Sequence, residues 1–143
     1  MRRFCIVTMA MIIAVACMPA WAAEFKPYPG AKLDAKATKD AQAISAKAKS
    51  KVRIYTTNDT FEKVYDFYKG VAKEFAMPPF SPKGKKSAIT GQIVKSALFI
   101  CDDAKDLMNS KLWIKVQRPA IGLYMEDLEK SQDVTAIIVS EKK

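Results

Sequence analysis

Thr60-Phe61-Glu62-Lys63-Val64-Tyr65-Asp66-Phe67-Tyr68-Lys69-Gly70-Val71-Ala72-Lys73-Glu74-Phe75 is the stretch on which the fold turns. Phe61, Val64, Tyr65, Tyr68, Val71, Ala72 and Phe75 recur at i, i+3, i+4 and i+7. At roughly 100° per residue they share one stripe about 120° wide. Glu62, Asp66, Lys69 and Lys73 lie opposite. The spacing predicts one long amphipathic helix over residues 60–75 with an aromatic-rich buried face. Asn58-Asp59-Thr60 supplies the side chains that cap a helix start, and Met77-Pro78-Pro79 ends it. Such a face must be buried against another layer.

Strands surround this helix. Residues 51–57 alternate and are β-branched, which predicts the first strand. Phe80–Ser87 reads as a basic loop. A strand follows near 91–101, ending Ala97-Leu98-Phe99-Ile100-Cys101, and Asp102–Met108 reads as a short acidic-started helical turn. Residues 111–117 alternate strictly, and residues 133–140 form the last strand. The order is β-α-β-β-β, and short connections make the last three strands antiparallel neighbours. The fold expected is α+β: a mainly antiparallel four-stranded sheet packed by the long helix. The Lys-studded strand Lys111–Gln117 reads as a guarded sheet edge.

The strands at 97–101 and 134–139 are apolar at both parities. One helix covers one face, so the other face needs a second layer. A second subunit, a bound ligand or an N-terminal helix could provide it. The Ala/Lys-rich segment predicts a helix near 35–48, with Leu33, Ala37, Ala41, Ile44 and Ala48 on one narrow stripe. That helix is the favoured cover. Its small side chains exclude little water, so apolar surface left beside it would mark a binding site.

The N-terminus reads as an address. Arg2-Arg3 precede an apolar run from Phe4 to Met18, then Pro19 and Ala20-Trp21-Ala22. A charged start, a short apolar core and a small-x-small end predict a signal peptide over 1–22, cleaved near Ala22. The product would be periplasmic or secreted. Lipoprotein processing at Cys17 is the lesser reading, because Ala14 stands where Leu is usual. Residues 23–50 then form an N-terminal segment carrying the Ala/Lys-rich helix, and 51–143 the α+β domain. Within 23–30, two prolines and Gly30 predict an extended lead-in ending in a turn.

The 143 residues include no His, and the formal charge is +9. His-based triads, HExxH zinc sites and His-ligated haem are excluded. Without Arg2 and Arg3 the exported chain keeps 22 basic and 15 acidic residues, and Cys101 is its one cysteine, so no internal disulfide is expected. Asp102 and Asp103 beside Cys101 oppose a reactive thiolate, so a buried structural cysteine is expected. Asp102, Asp103 and Asp106 lack the spacing of a calcium loop. Gly84-Lys85-Lys86-Ser87 lacks the upstream glycine of a phosphate loop, with Pro79 in its place. No cofactor and no metal follow from these motifs, and no catalytic residue is assigned.

A partner or ligand surface is the remaining candidate. Trp113 shares its parity with Lys111 and Lys115, away from Leu112, Ile114 and Val116. With Phe80 and Tyr124 it could form an aromatic site, and Lys83, Lys85 and Lys86 make a basic patch nearby in sequence. The charge is otherwise dispersed, so attraction to anionic surfaces would be weak and no specific nucleic-acid readout is supported. A homodimer through an apolar sheet face is a further expectation.

Tyr28-Pro29-Gly30-Ala31, Tyr55-Thr56-Thr57-Asn58-Asp59 and the start of the helix through Phe67-Tyr68-Lys69 resemble a group of small exported bacterial proteins of unknown function. These share a YPGA turn and a YTTxD…V…FYK strand-helix segment. The resemblance spans roughly the first half of the exported chain. It implies an exported α+β domain and carries over no activity and no site residue. The functional expectation is a non-catalytic exported domain that binds a partner or ligand in the cell envelope. The alternatives are a basic protein that binds polyanions or envelope surfaces, and a His-free carboxylate-dependent enzyme.

Overall fold

The computed structural model describes residues 24–143, so the signal peptide and Cys17 lie outside the described residues. The lead-in ends in a turn in which the Ala31 N–H donates to the Tyr28 carbonyl at 3.1 Å and Gly30 takes φ +84°. There follow β1 (Lys32–Leu33), α1 (Ala35–Ser45) with a 3₁₀ turn at Ala46–Ala48, β2 (Ser50–Thr57) and α2 (Phe61–Val71). Next come β3 (Lys73–Glu74), β4 (Lys85–Lys86), β5 (Ile93–Ile100) and β6 (Leu112–Arg118). The chain ends with β7 (Ala120–Ile121), β8 (Ser131–Gln132) and β9 (Thr135–Lys142). A seven-stranded antiparallel sheet runs β1-β2-β9-β6-β5-β3, with β4 also on β5, while β7 and β8 form a separate ribbon. The class is α+β with a mostly antiparallel sheet and two helices.

Three expectations need correction. First, β6 lies inside the sheet, between β9 and β5, so Lys111–Gln117 guards no edge. The edges are instead blunted by the two-residue strands β1, β3 and β4, which extend the sheet beyond the four long strands. Second, α2 stops at Val71. Gly70, a poor helix former, precedes its end, and Ala72 is extended while its N–H still donates to the Tyr68 carbonyl at 2.8 Å. Lys73 and Glu74 then pair with Ile100 and Phe99, and the Tyr65 hydroxyl donates to Glu74 at 2.7 Å. Edge pairing thus replaces the last helical turn. Third, Asp102–Met108 forms turns, not a helix, and the basic loop contains β4. Asp102 accepts from the Ser110 hydroxyl at 2.8 Å and the Lys111 N–H at 2.6 Å, which ties the β5–β6 connection closed.

The Thr60 hydroxyl caps α2, accepting from the Lys63 N–H at 3.4 Å. Phe61, Val64 and Tyr68 from α2 are buried against Phe99, Leu112, Ile114, Val116, Ile137 and Val139. Each such side chain contributes about 1.5–3 kcal/mol by leaving water. Tyr65 and Tyr68 pack on Phe99 with ring centroids 5.7 and 6.0 Å apart. The Tyr68 hydroxyl donates to the Lys26 carbonyl at 3.1 Å, which fastens the lead-in over this core.

The opposite sheet face carries α1. Ala37 is fully buried against Val52, Ile54 and Ala136, where only a small residue permits such close approach. The Asp34 carboxylate caps α1 through the Ala37 N–H at 2.9 Å. Polar side chains complete the docking. β1 pairs with β2 only at Tyr55 and Thr56. Beyond that point the Asp34 N–H donates to the Ile54 carbonyl at 2.9 Å, and Thr38 Oγ1 accepts from the Ile54 N–H at 2.9 Å. Gln42 Oε1 accepts from the Val52 N–H at 2.9 Å, and Gln42 Nε2 donates to the Ser50 carbonyl at 2.9 Å. Thr38 and Gln42, one helical turn apart, therefore stand in for a missing strand along the edge of β2.

Candidate functional site

α1 covers only β2 and part of β9. From the far side of the sheet, residues 79–89 fold over β5 onto the same face, fixed by the Ser96 N–H donating to the Ser81 carbonyl at 3.0 Å. An apolar furrow remains beside α1, lined also by Ile121, Gly122 and Leu123. Its floor comes from β2, β9 and β6, and one wall comes from Ala41, Ile44 and Ala48. Its volume is about 430 Å³, lined by Val52, Ile54, Trp113, Leu123 and Ile138 among others. A second hollow of about 420 Å³ lies under residues 79–89 and contains Lys85, Lys86 and Phe80. The two meet at Lys115, Gln117 and Ile121, which line both. Among the described residues no Asp or Glu lines either one.

Strand parity explains this floor. Register places Trp113 opposite Ser140, Lys115 opposite Ile138 and Gln117 opposite Ala136. These six therefore point to the α1 side, while Leu112, Ile114 and Val116 point to α2. Lys115 is flanked across both ladders by Leu98 and Ile138. Its ammonium lies 5.2 Å from the centre of the Phe80 ring. Among the described residues it joins none of the ion pairs. Burial pushes its pKa below the ordinary lysine value, and the ring face offers partial compensation for the charge.

The expected surface residues separate into three groups. Trp113 and Lys115 lie in the furrow, and Lys85 and Lys86 line the adjoining hollow. Lys111 and Lys83 are exposed and line neither. Tyr124 is a strut: its hydroxyl donates to Asp34 at 2.8 Å, and Lys36 lies 4.7 Å from its ring centre. It holds the start of α1 against the β7–β8 loop and does not face the furrow. Gln117, Ile121 and Ile138 belong to the lining beyond the expected surface residues, and Ile44 joins it from the stripe of α1. The parity that selected Trp113 and Lys115 also selects Gln117, whereas Ile121 arrives through the loop after Pro119, which no periodicity reveals.

Cys101 is half-buried, and burial, with a smaller contribution from Asp102, pushes its thiol up to about 11. A basic hollow near Lys49, Lys51 and Lys143 is walled mainly by exposed side chains and is a surface feature. Among the described residues no helix is long and apolar enough to cross a membrane. Comparison with known protein families, with curated proteins and with solved structures finds no match for this chain.

Proposed function

We propose that this protein is an exported, non-catalytic binding module of the cell envelope, and that its ligand site is the furrow between α1 and residues 121–123. The observation that carries the reading is that furrow: an apolar sheet face that α1 covers only in part, with Trp113 on its floor. Its size falls in the range of about 300–1,000 Å³ usual for small-molecule sites. Ile44, at the rim, is 67 % exposed, an apolar side chain held in water where a ligand would cover it. Export is supported by the residues of the leader. The likeness of the YPGA turn and the YTTxD…V…FYK strand-helix segment to small exported bacterial proteins supports the same placement.

The test is binding of Nile red, a neutral apolar dye, followed by its fluorescence. Saturable 1:1 binding is expected, lost or weakened at least fivefold in Ile44→Asp (rim) and in Ile138→Asn (floor). No binding to the parent protein, or binding indifferent to both substitutions, refutes the furrow as the site. N-terminal sequencing of the protein recovered from the envelope of an expressing bacterium tests export. A chain beginning at residue 23 is expected, and an intact Met1 in the cytoplasm refutes it.

A further inference from the structure

The following rests on the furrow being the ligand site. We propose that its ligand is a single-chain anionic amphiphile, in chemical class a fatty carboxylate, with the carboxylate against Lys115 and the chain along the floor beneath α1.

The two hollows that meet at Lys115 are both largely apolar and differ in charge. On the α1 side Ala41, Ile44, Val52, Ile54, Trp113 and Ile138 offer a surface that suits a hydrocarbon chain, with Ser45, Ser50 and Ser140 beside them. On the other side Lys85 and Lys86 add two cations to a lining that also includes Phe80, Ile89 and Val94. Lys115 and Gln117 stand at the junction. Among the described residues three cations and no carboxylate line the combined site, so its charge complements an anion at one end only. A cation or a wholly apolar ligand would leave Lys115 without a counter-charge, and a zwitterion would bring a second, positive charge for which the lining offers no carboxylate.

Lys115 is the decisive residue. Its cross-strand neighbours on this face are Leu98 and Ile138, and an aliphatic residue between them would extend the apolar floor without loss. A lysine there holds a partly desolvated ammonium at the meeting point of the two hollows, a position that an opposite charge would suit. No ion pair among the described residues supplies that charge, and the Phe80 ring lies 5.2 Å from the ammonium. A ligand carboxylate would supply it through a charge-assisted hydrogen bond, the strong kind. Lys85 and Lys86 are exposed and add long-range attraction at the head end. A polyanion would find one of the three cations recessed and an apolar trough beside it, a poor match for a repeating charged chain.

The test uses the full reading frame carrying Trp21→Phe, which leaves Trp113 as the single indole. Trp113 fluorescence is titrated with laurate below its micelle threshold, with dodecyltrimethylammonium, and with acetate. Saturable 1:1 binding of laurate is expected, at least tenfold tighter than dodecyltrimethylammonium, with acetate silent. Lys115→Met should lower laurate affinity by about 10- to 100-fold, so that the preference between the two head groups collapses. Lys85→Gln with Lys86→Gln, at exposed positions that do not endanger folding, should weaken laurate by a smaller factor and reduce its salt dependence. Equal affinity for the two head groups, or an unchanged preference in Lys115→Met, overturns the proposal while Nile red binding keeps the furrow reading alive. Acetate binding as tight as laurate shows a simple anion site and also overturns it. A dimer by light scattering, with Trp113 shielded from acrylamide, makes a second copy the occupant and overturns it. If neither Nile red nor any amphiphile binds, the furrow reading falls too.

Discussion

Replacing Gln42 by Met tests the least obvious element of the fold, the docking of α1 along β2. Met keeps the length and helix propensity of Gln, so the helix itself is not weakened. Two hydrogen bonds disappear, Val52 N–H to Oε1 and Nε2–H to the Ser50 carbonyl, both 2.9 Å. Each contributes about 0.5–1.5 kcal/mol net, so the pair sums to about 1–3 kcal/mol. The two losses are unequal. Val52 is 8 % exposed, so its N–H is left without a partner, whereas the Ser50 carbonyl at the strand's start can recover water. That places the loss at about 1–2 kcal/mol. For a domain of this size the melting temperature should fall by about 3–8 °C. The assay is urea unfolding by far-ultraviolet circular dichroism at fixed pH, with amide hydrogen exchange alongside. The Val52 and Ile54 amides should exchange faster while Ile114, deep in the sheet, keeps its protection relative to global unfolding. A change below about 0.3 kcal/mol with Val52 exchange unaltered refutes the view that Gln42 substitutes for a strand partner.

Lys115→Met should stabilise the unliganded protein at neutral pH by on the order of 1 kcal/mol, because it removes a partly desolvated ammonium that has no ion-pair partner among the described residues. The folded-state pKa of Lys115 is lowered, so the cost is in place below that value and vanishes as pH rises past the unfolded value near 10.4. Denaturation of both proteins from pH 7 to 11 should show the difference closing, and a constant gap would contradict the assignment. Cys101, with its thiol pushed up to about 11, should resist iodoacetamide at pH 8 in the folded protein and react in urea. Fast native labelling, followed by mass spectrometry, would contradict its burial. Phe99→Ala should cost about 3–5 kcal/mol in chemical denaturation, since the ring is fully buried beneath Tyr65 and Tyr68, and a loss under 1.5 kcal/mol would mean the core closes over the gap.

Much of this architecture was legible in residue patterns, and the failures share one cause. Phe61, Val64 and Tyr68 declared the buried face of α2 because three-to-four spacing is imposed by helix geometry alone. The strands read at 97–101 and 134–139 announced two covered faces because apolar residues stood at both parities. The end of α2 was misplaced because Val71, Ala72 and Phe75 continue the helical spacing. The choice between another turn and edge pairing with Ile100 and Phe99 depends on residues 25 positions away. The central position of β6 was hidden for the same reason. Lysines on alternate positions describe a strand with one polar face, and whether that face meets water or a trough is settled by neighbouring strands.

The candidate site divides in the same way. Sequence by itself determined which side chains share a face, since alternation sets Trp113, Lys115 and Gln117 against Leu112, Ile114 and Val116. It also determined the absence of His and the positions of the three cysteines, which are facts of composition. Only the tertiary structure decided what stands opposite those side chains. It set Lys115 between two apolar strands beneath Phe80, withdrew Tyr124 to brace Asp34, and left Lys111 and Lys83 outside. The physical reason is range. Periodicity reports backbone geometry within one element, whereas the environment of a charge is built by segments brought together from across the chain.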